Sequence, residues 1–376
     1  MDKSARIAIV GGGLAGLALA GLLYKQGYRI TVFEQTPEFH RIGAGIILGA
    51  SIAKVIQRIG ILEPYIAAGM KPDAFVSRKW DTGETLNELL FDAEAEARFG
   101  GPFINIHRAD LHDVLRSAIP DEAIRFDHML VGTEPAGSAV RLTFSNGLTE
   151  DADIVVGADG IHSRLRNAIF GKRPLRYVGS VAYRAVFSTA RVAGLSMRDC
   201  TKWWGPDRHA LSYYVTGRRD EMYIMGAVPD KSWNATSEPV IQNHDRFLEA
   251  FKDFHPELTA LITAAEEVQA LPICDLERND RWSEGQAVLM GDACHAVRPY
   301  MAAGGSMAIE DAAILSEAIS THDTPAKAFA AYEKIRIPRV GKVQRISEEN
   351  SWLKLPTDTG WFFGYDPFTE DLKQAA

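Results

Sequence analysis

The chain has 376 residues, 46% hydrophobic and 24% charged, the balance of an ordinary soluble globular protein with room for two or three domains. A formal net charge of −8 argues against nucleic acid or an anionic membrane surface as the main partner. The three cysteines, Cys200, Cys274 and Cys294, are odd in number and widely spaced. They predict neither a disulfide framework nor a zinc site, and a reducing cytoplasm is the expected location.

The first predicted unit, over 5–35, is strand, turn, helix, strand. Its start, "RIAIVGGGLAGLALAGLLY", resembles a signal peptide superficially. Glycines at 11, 12, 13, 16 and 21 and the following "YRITVFEQ" favour a βαβ unit instead. Gly11-x-Gly13-x-x-Gly16, with Ala15 between, has the spacing of a dinucleotide turn. The first glycine makes the turn, the second admits a pyrophosphate to the backbone, and the third lets helix and strand touch. The helix N-terminus then offers unpaired N–H groups and a positive dipole end. Glu34 ends the next strand, eighteen residues beyond Gly16, where a carboxylate accepts adenosine ribose hydroxyls and disfavours a 2′-phosphate.

Strand-like segments with the turn "DTGE" follow at 72–90, and "HRADLHDVLRSAI" (107–119) has helical spacing. A hairpin with an Asn-Gly turn runs into "ADIVVGADG", ending at Gly157, Asp159 and Gly160. The chain is β-rich over about 175–230 and helical near 240–266. The strand "QAVLMGD" ends at Gly291 and Asp292, and long helices are expected at 306–320 and 324–350. Ligands of open α/β sheets lie outside the carboxyl ends of the strands, so three Gly/Asp-marked ends predict one long ligand across all three. Asp292 is placed for the ligand's hydroxyls, whereas Asp159 either touches the ligand or fixes its own turn. Cys294 and His295 alone make no metal site and are expected to pack. Gly304 and Gly305 lead into a helix with Ser306 as the expected N-cap, where a flat ring can approach the backbone and a helix N-terminus favours negative charge.

"CTKWWGPDRHALSYY" (200–214) concentrates aromatic residues, a thiol and an imidazole. Closing it over the loop 205–208 pairs Trp204 with His209, Lys202 with Leu211 and Cys200 with Tyr213. These residues then share one sheet face. Cys200 and His209 are too few for a metal, and no metal is expected. Trp203 and Tyr214, on the other face, are expected core residues. By strand preference alone Cys200, His209 and Tyr213 are core or pocket wall.

Four blocks in order, "GGGLAG", "HRADL", "GADGIHSRLR" and "GDACHAVRPYMAAGGSMAIEDA", make nearly the whole chain resemble the single-component FAD-dependent aromatic hydroxylases. Salicylate and 4-hydroxybenzoate hydroxylases belong to this group, and "CTKWWGPDRHALSYYVTGRRDEMY" with "WFFGYD" looks like its hydroxynicotinate branch. The resemblance implies FAD as cofactor, NADH as transient co-substrate, and a flavin C4a-hydroperoxide that hydroxylates a ring activated by deprotonation, with CO2 lost where the carbon bears a carboxylate. A single dinucleotide fingerprint agrees with NADH docking only transiently.

By this resemblance Gly11, Gly13, Ala15 and Gly16 hold phosphate, while Glu34, Gln35 and Leu130 meet the adenosine end. Arg108 lies near pyrophosphate and ribitol, and Asp292, Gly304 and Gly305 lie by ribitol and ring, with Asp159 nearby. Cys200, His209 and Tyr213 become pocket residues, Tyr213 with His209 relaying the substrate's hydroxyl proton. Two positions depart from the branch's pattern: Ile47 and Tyr300 stand where it has histidines, which bears on the substrate. A 6-hydroxy-3-succinoylpyridine or salicylate-type substrate is the alternative within the class. An oxidase or dehydrogenase flavoprotein, or a non-enzymatic nucleotide sensor, is the alternative outside it.

The expected fold class is α/β, a Rossmann-type FAD-binding domain (1–72, 100–175, 270–350) interrupted by a mainly antiparallel β-sheet substrate domain (73–99, 176–269), with C-terminal helices and a tail at 351–376. The expected partners are a small aromatic or pyridine substrate and O2, with no nucleic acid or membrane, in a monomer or homodimer.

Overall fold

A computed structural model describes residues 1–41, 44–241 and 244–375. A six-stranded sheet runs in the spatial order 283–284, 287–289, 154–157, 6–10, 29–33, 124–125. All its pairs are parallel except the antiparallel edge strand at 283–284. Strands "IVVG" and "AVL" are buried throughout, and "RIAIV" after its first residue. Such runs suit a parallel sheet covered on both faces. Val10 pairs with Gly157, and Gly157 with Leu289, so the three marked strand ends lie side by side as expected. The helices Leu14–Lys25 and Gly304–Thr321 pack together against this sheet.

An eight-stranded sheet forms a second layer, in the order 240–241, 269–275, 176–188, 221–229, 209–214, 200–204, 74–79, 85–90. It is antiparallel apart from the parallel pair of 200–204 with 74–79. Its hairpin has the expected register: Cys200 opposite Tyr213, Lys202 opposite Leu211, Trp204 opposite His209. Period-two alternation divides the hairpin between two cores. Trp203, Ala210 and Tyr214 join Phe247, Phe251 and Leu258 of the helices His244–Phe251 and Pro256–Ala264. Cys200, Leu211 and Tyr213 face the other way, into the core shared with the six-stranded sheet.

The helix Pro325–Glu349 ends at Asn350, whose φ of +48° suits a left-handed C-cap. The chain then folds back, with Trp352, Leu353, Phe362 and Phe363 buried in the main core. Leu353 has φ +62°, an uncommon conformation for a bulky residue. Its carbonyl accepts from Ser77 Oγ (2.6 Å) and Asn87 Nδ2 (3.1 Å), which fastens this segment to the eight-stranded sheet. Among the described residues, no helix is long and apolar enough to cross a membrane.

Candidate active site

A cleft of about 690 Å³ crosses the carboxyl ends of the parallel strands. Gly11, Gly13, Ala15, Glu34, Gln35, Arg108, Leu130, Asp159, Asp292, Gly304 and Gly305 all line it. Gly16 does not, because its work is steric: a Cβ there would lie 2.0 Å from the carbonyl oxygen of Gly11. Gly11 has φ +109°, a backbone open mainly to glycine, and its own Cβ would meet the Ala158 carbonyl at 2.4 Å. His112 Nε2 lies 2.7 Å from the Gly12 carbonyl oxygen and steadies the loop from the neighbouring helix.

The donor set fits a long dinucleotide. The helix starting at Leu14 has Gly13 as N-cap with no side-chain cap, and the helix starting at Gly304 likewise has none. Two helix N-termini with unpaired N–H groups therefore border one cleft, an arrangement suited to anions. A Cβ on Gly13 would meet no atom within 4 Å, so the loop backbone lies open for close approach. Arg108 and Asp292, both exposed on the cleft wall, line the same stretch, and their opposite charges act on each other. At the far end Glu34 accepts from the Gly12 N–H (2.9 Å) and from Thr36, which aims its carboxylate along the cleft edge.

Asp159 takes the turn alternative with its side chain. Its carboxylate accepts from Ser163 Oγ (2.5 Å) and from the N–H groups of Arg164 (2.7 Å) and Leu165 (3.1 Å). Ser306 is not an N-cap. The helix begins two residues earlier at Gly304, and Ser306 is buried inside its first turn. The glycines extend the helix into the cleft, so its end meets the cleft uncapped.

Behind the cleft lies a buried charge network that composition alone does not reveal. Arg336, fully buried, donates to Asp311 (2.7 Å) and Glu310 (2.8 Å), and Arg339 also donates to Glu310. Burial alone would lower the Arg336 pKa, but the two carboxylates raise it. Asp311 also accepts from the Gly291 N–H (2.8 Å) and pairs with His295 Nε2 (2.5 Å). The network ties the turn carrying Asp292 to the helix carrying Gly305. Among the described residues, Cys294, His295 and Asp311 lie close enough to hold a metal. Arg336 already supplies the cation at Asp311. The sequence signal was two adjacent acids inside an apolar helix.

A second, narrow cavity of about 40 Å³ adjoins the cleft at the start of the Gly304 helix. Ile46 and Gly305 line the cleft, whereas their neighbours Ile47 and Ser306 line the narrow cavity. Its other walls include Phe91, Phe103, Leu211, Tyr300, Trp352, Phe362 and Phe363, with Lys202 and His209 as polar groups. His209 is 3% exposed and its Nε2 has no hydrogen-bond partner. Burial, then the Lys202 charge, pushes its pKa well below 6.5, so the ring is neutral at pH 7. Asn350 faces Nδ1 at 3.2 Å through its amide and so governs which ring nitrogen carries the proton.

Of the three hairpin residues expected in the pocket, His209 lines this cavity and Cys200 and Tyr213 do not. Strand Gly45–Leu48 covers their end of the hairpin: a Cβ on Gly45 would lie 2.7 Å from the Tyr213 hydroxyl. Tyr213 packs against Tyr223, ring centroids 5.1 Å apart, and burial raises its pKa well above 10. Burial likewise raises the Cys200 thiol. Lys202 and the aromatic wall from 352–363 were missed. Alternation already put Lys202 on the correct face, but nothing in the sequence placed the C-terminal aromatics opposite it.

The family model described as FAD binding domain matches residues 4–347. The chain is similar to a 6-hydroxynicotinate 3-monooxygenase of Pseudomonas fluorescens, 41% identical over 377 residues, covering 99% of this chain and 98% of that protein. The enzyme of the same name from Bordetella bronchiseptica is 40% identical over 376 residues, covering 99% and 98%. Among solved structures, a salicylate hydroxylase substrate complex superposes with a TM-score of 0.83 at 25% identity, covering 100% of this chain and 98% of that one.

Proposed function

Because this chain belongs to the FAD binding domain family, and is an FAD-dependent aromatic-ring monooxygenase, we propose that its substrate is a hydroxylated pyridine carboxylate, 6-hydroxynicotinate foremost. The product is 2,5-dihydroxypyridine, with loss of CO2 and consumption of NADH and O2. The single observation that carries this reading is the narrow aromatic cavity beside the cleft at the Gly304 helix, with His209 Nε2 on its wall and, among the described residues, unpaired. FAD, when bound, accepts hydride from NADH and activates O2 toward the ring.

The chain's own residues hold and prepare the substrate. Gly11, Gly13 and the two uncapped helix ends would hold the cofactor's phosphates, and Arg108 and Asp292 its hydroxyl-bearing portion. Phe103, Trp352 and Phe363 exclude water from the ring. Ile47, on the cavity wall, has no hydrogen-bonding group, so His209 is the group that meets the ring hydroxyl. Its Nδ1 accepts from Asn350 Nδ2 (3.2 Å), which leaves Nε2–H to hold the ring oxygen as negative charge develops there. Tyr213 keeps its proton at pH 7 and lies behind strand 45–48, away from the cavity, so it is not the base. The three free cysteines suit a reducing compartment.

NADH oxidation measured against a panel of hydroxypyridine and hydroxybenzoate acids tests the reading. The panel includes 6-hydroxy-3-succinoylpyridine and salicylate. Coupled product and CO2 with 6-hydroxynicotinate is expected; uncoupled peroxide with every compound would refute the assignment. In rapid-mixing experiments His209→Leu is expected to slow ring hydroxylation by about 10²–10³-fold, the range for losing one donor to a developing oxyanion, with flavin reduction by NADH little changed. Tyr213→Phe, away from the cavity, should leave both half-reactions near the parent's rates. Equal slowing of both half-reactions in His209→Leu would remove that residue from the ring chemistry.

A further inference from the structure

We propose that Lys202 is the anchor for the substrate's carboxylate and the residue that makes this pocket select acids over neutral rings. The proposal rests on the ring-hydroxylase reading and extends it to one group of the substrate. Lys202 sits mid-strand in the hairpin, 3% exposed, on the wall of the narrow cavity. Its Nζ donates to the Tyr300 carbonyl oxygen (3.1 Å) and lies 3.8 Å from the centroid of the Trp204 ring.

An ammonium has three donors, and those two contacts leave its charge uncompensated. Among the described residues, no carboxylate lies within ion-pair distance of it, and no acidic side chain lines the cavity. Buried Arg336 is paired with Glu310 and Asp311, and buried Arg166 spends two guanidinium nitrogens on the Ala293 and Ile161 carbonyls, whereas Lys202 has a single carbonyl and faces a cavity. An unpaired buried ammonium is costly, so a site that keeps one is built for an arriving anion. Burial pushes its pKa down to about 7, the direction expected of a cation that lacks its counter-charge.

The occupant's chemistry follows from the walls. Phe91, Phe103, Trp352, Phe362 and Phe363 offer flat apolar faces that suit a ring better than a hydrated inorganic anion, and these side chains must move apart to widen the cavity of about 40 Å³ when a ring enters. His209 Nε2, the other unpaired polar group on the wall, takes the ring's hydroxyl. A small ring carrying one carboxylate and one hydroxyl satisfies both groups.

The test is titration of the FAD-loaded enzyme, followed by flavin absorbance, with matched pairs that differ only in the carboxylate. These are 6-hydroxynicotinate against 2-hydroxypyridine, and 4-hydroxybenzoate or salicylate against phenol. The parent is expected to bind the acid of its preferred pair at least about tenfold more tightly, a modest value for a charge-assisted contact. Lys202→Met, checked for flavin content, is expected to bring that ratio to about one by weakening the acid alone. An unchanged ratio in Lys202→Met, or a parent with no acid preference in any pair, overturns the proposal, the second without any variant. Preference for a benzoate pair would end the 6-hydroxynicotinate assignment while leaving Lys202 to stand or fall on the same ratio.

Discussion

Gly16→Ala is expected to lose its flavin. The added Cβ would sit 2.0 Å from the Gly11 carbonyl oxygen and 3.2 Å from Ile9 Cγ2. The nearer atom belongs to backbone and cannot rotate away, so the loop itself must shift. Gly11 has little room to yield, since its φ is +109° and its N–H donates to the Phe33 carbonyl (2.8 Å). Overpacking of this kind costs about 1–3 kcal/mol, which corresponds to roughly 5- to 150-fold in flavin affinity if it falls wholly on the bound state. Flavin content after dialysis, with melting followed on the same sample, separates the two costs. A variant that keeps full flavin content would show that the loop is not held as tightly as the contact implies.

Arg336→Met is expected to cost about 3–5 kcal/mol of stability, because it leaves the buried Glu310 and Asp311 without their main counter-charge. At about 2 °C per kcal/mol this is a fall in Tm of roughly 6–10 °C. Burial raises the Asp311 pKa, and the His295 and Arg336 charges bring it below the usual carboxylate value. Removing Arg336 releases that hold. Since Asp311 also accepts from the Gly291 N–H, flavin release on heating should move to lower temperature with unfolding. Replacing Glu310, Asp311 and Arg336 together by apolar residues should recover much of the loss, as buried ion clusters often allow. An unchanged Tm for the single variant would show that water reaches the network.

Two local periodicities explain how much of the fold was legible. The continuous apolar runs at 6–10, 154–157 and 287–289, each ending in glycine or followed by one within two residues, specify parallel strands and the cleft at their ends without reference to anything distant. The hairpin register at 200–214 was likewise local, because a four-residue loop sets which residues face each other. The cap at Ser306 was misread for the opposite reason. A side-chain cap is the ordinary local solution, whereas this helix leaves its first N–H groups open to the cleft.

By itself, then, the sequence determined the cleft, the face of the hairpin that looks toward it, and the aromatic hydroxylase family. The first two depend on spacings of two to six residues along one strand or turn, and the third on the resemblance of four blocks in order along the chain. Only the tertiary structure decided which residues of that face form the pocket wall. Strand 45–48 covers Cys200 and Tyr213, and Trp352 to Phe363 close over Lys202 and His209. Those contacts join segments about 150 residues apart, and their geometry is set by how the layers pack, which no local pattern encodes.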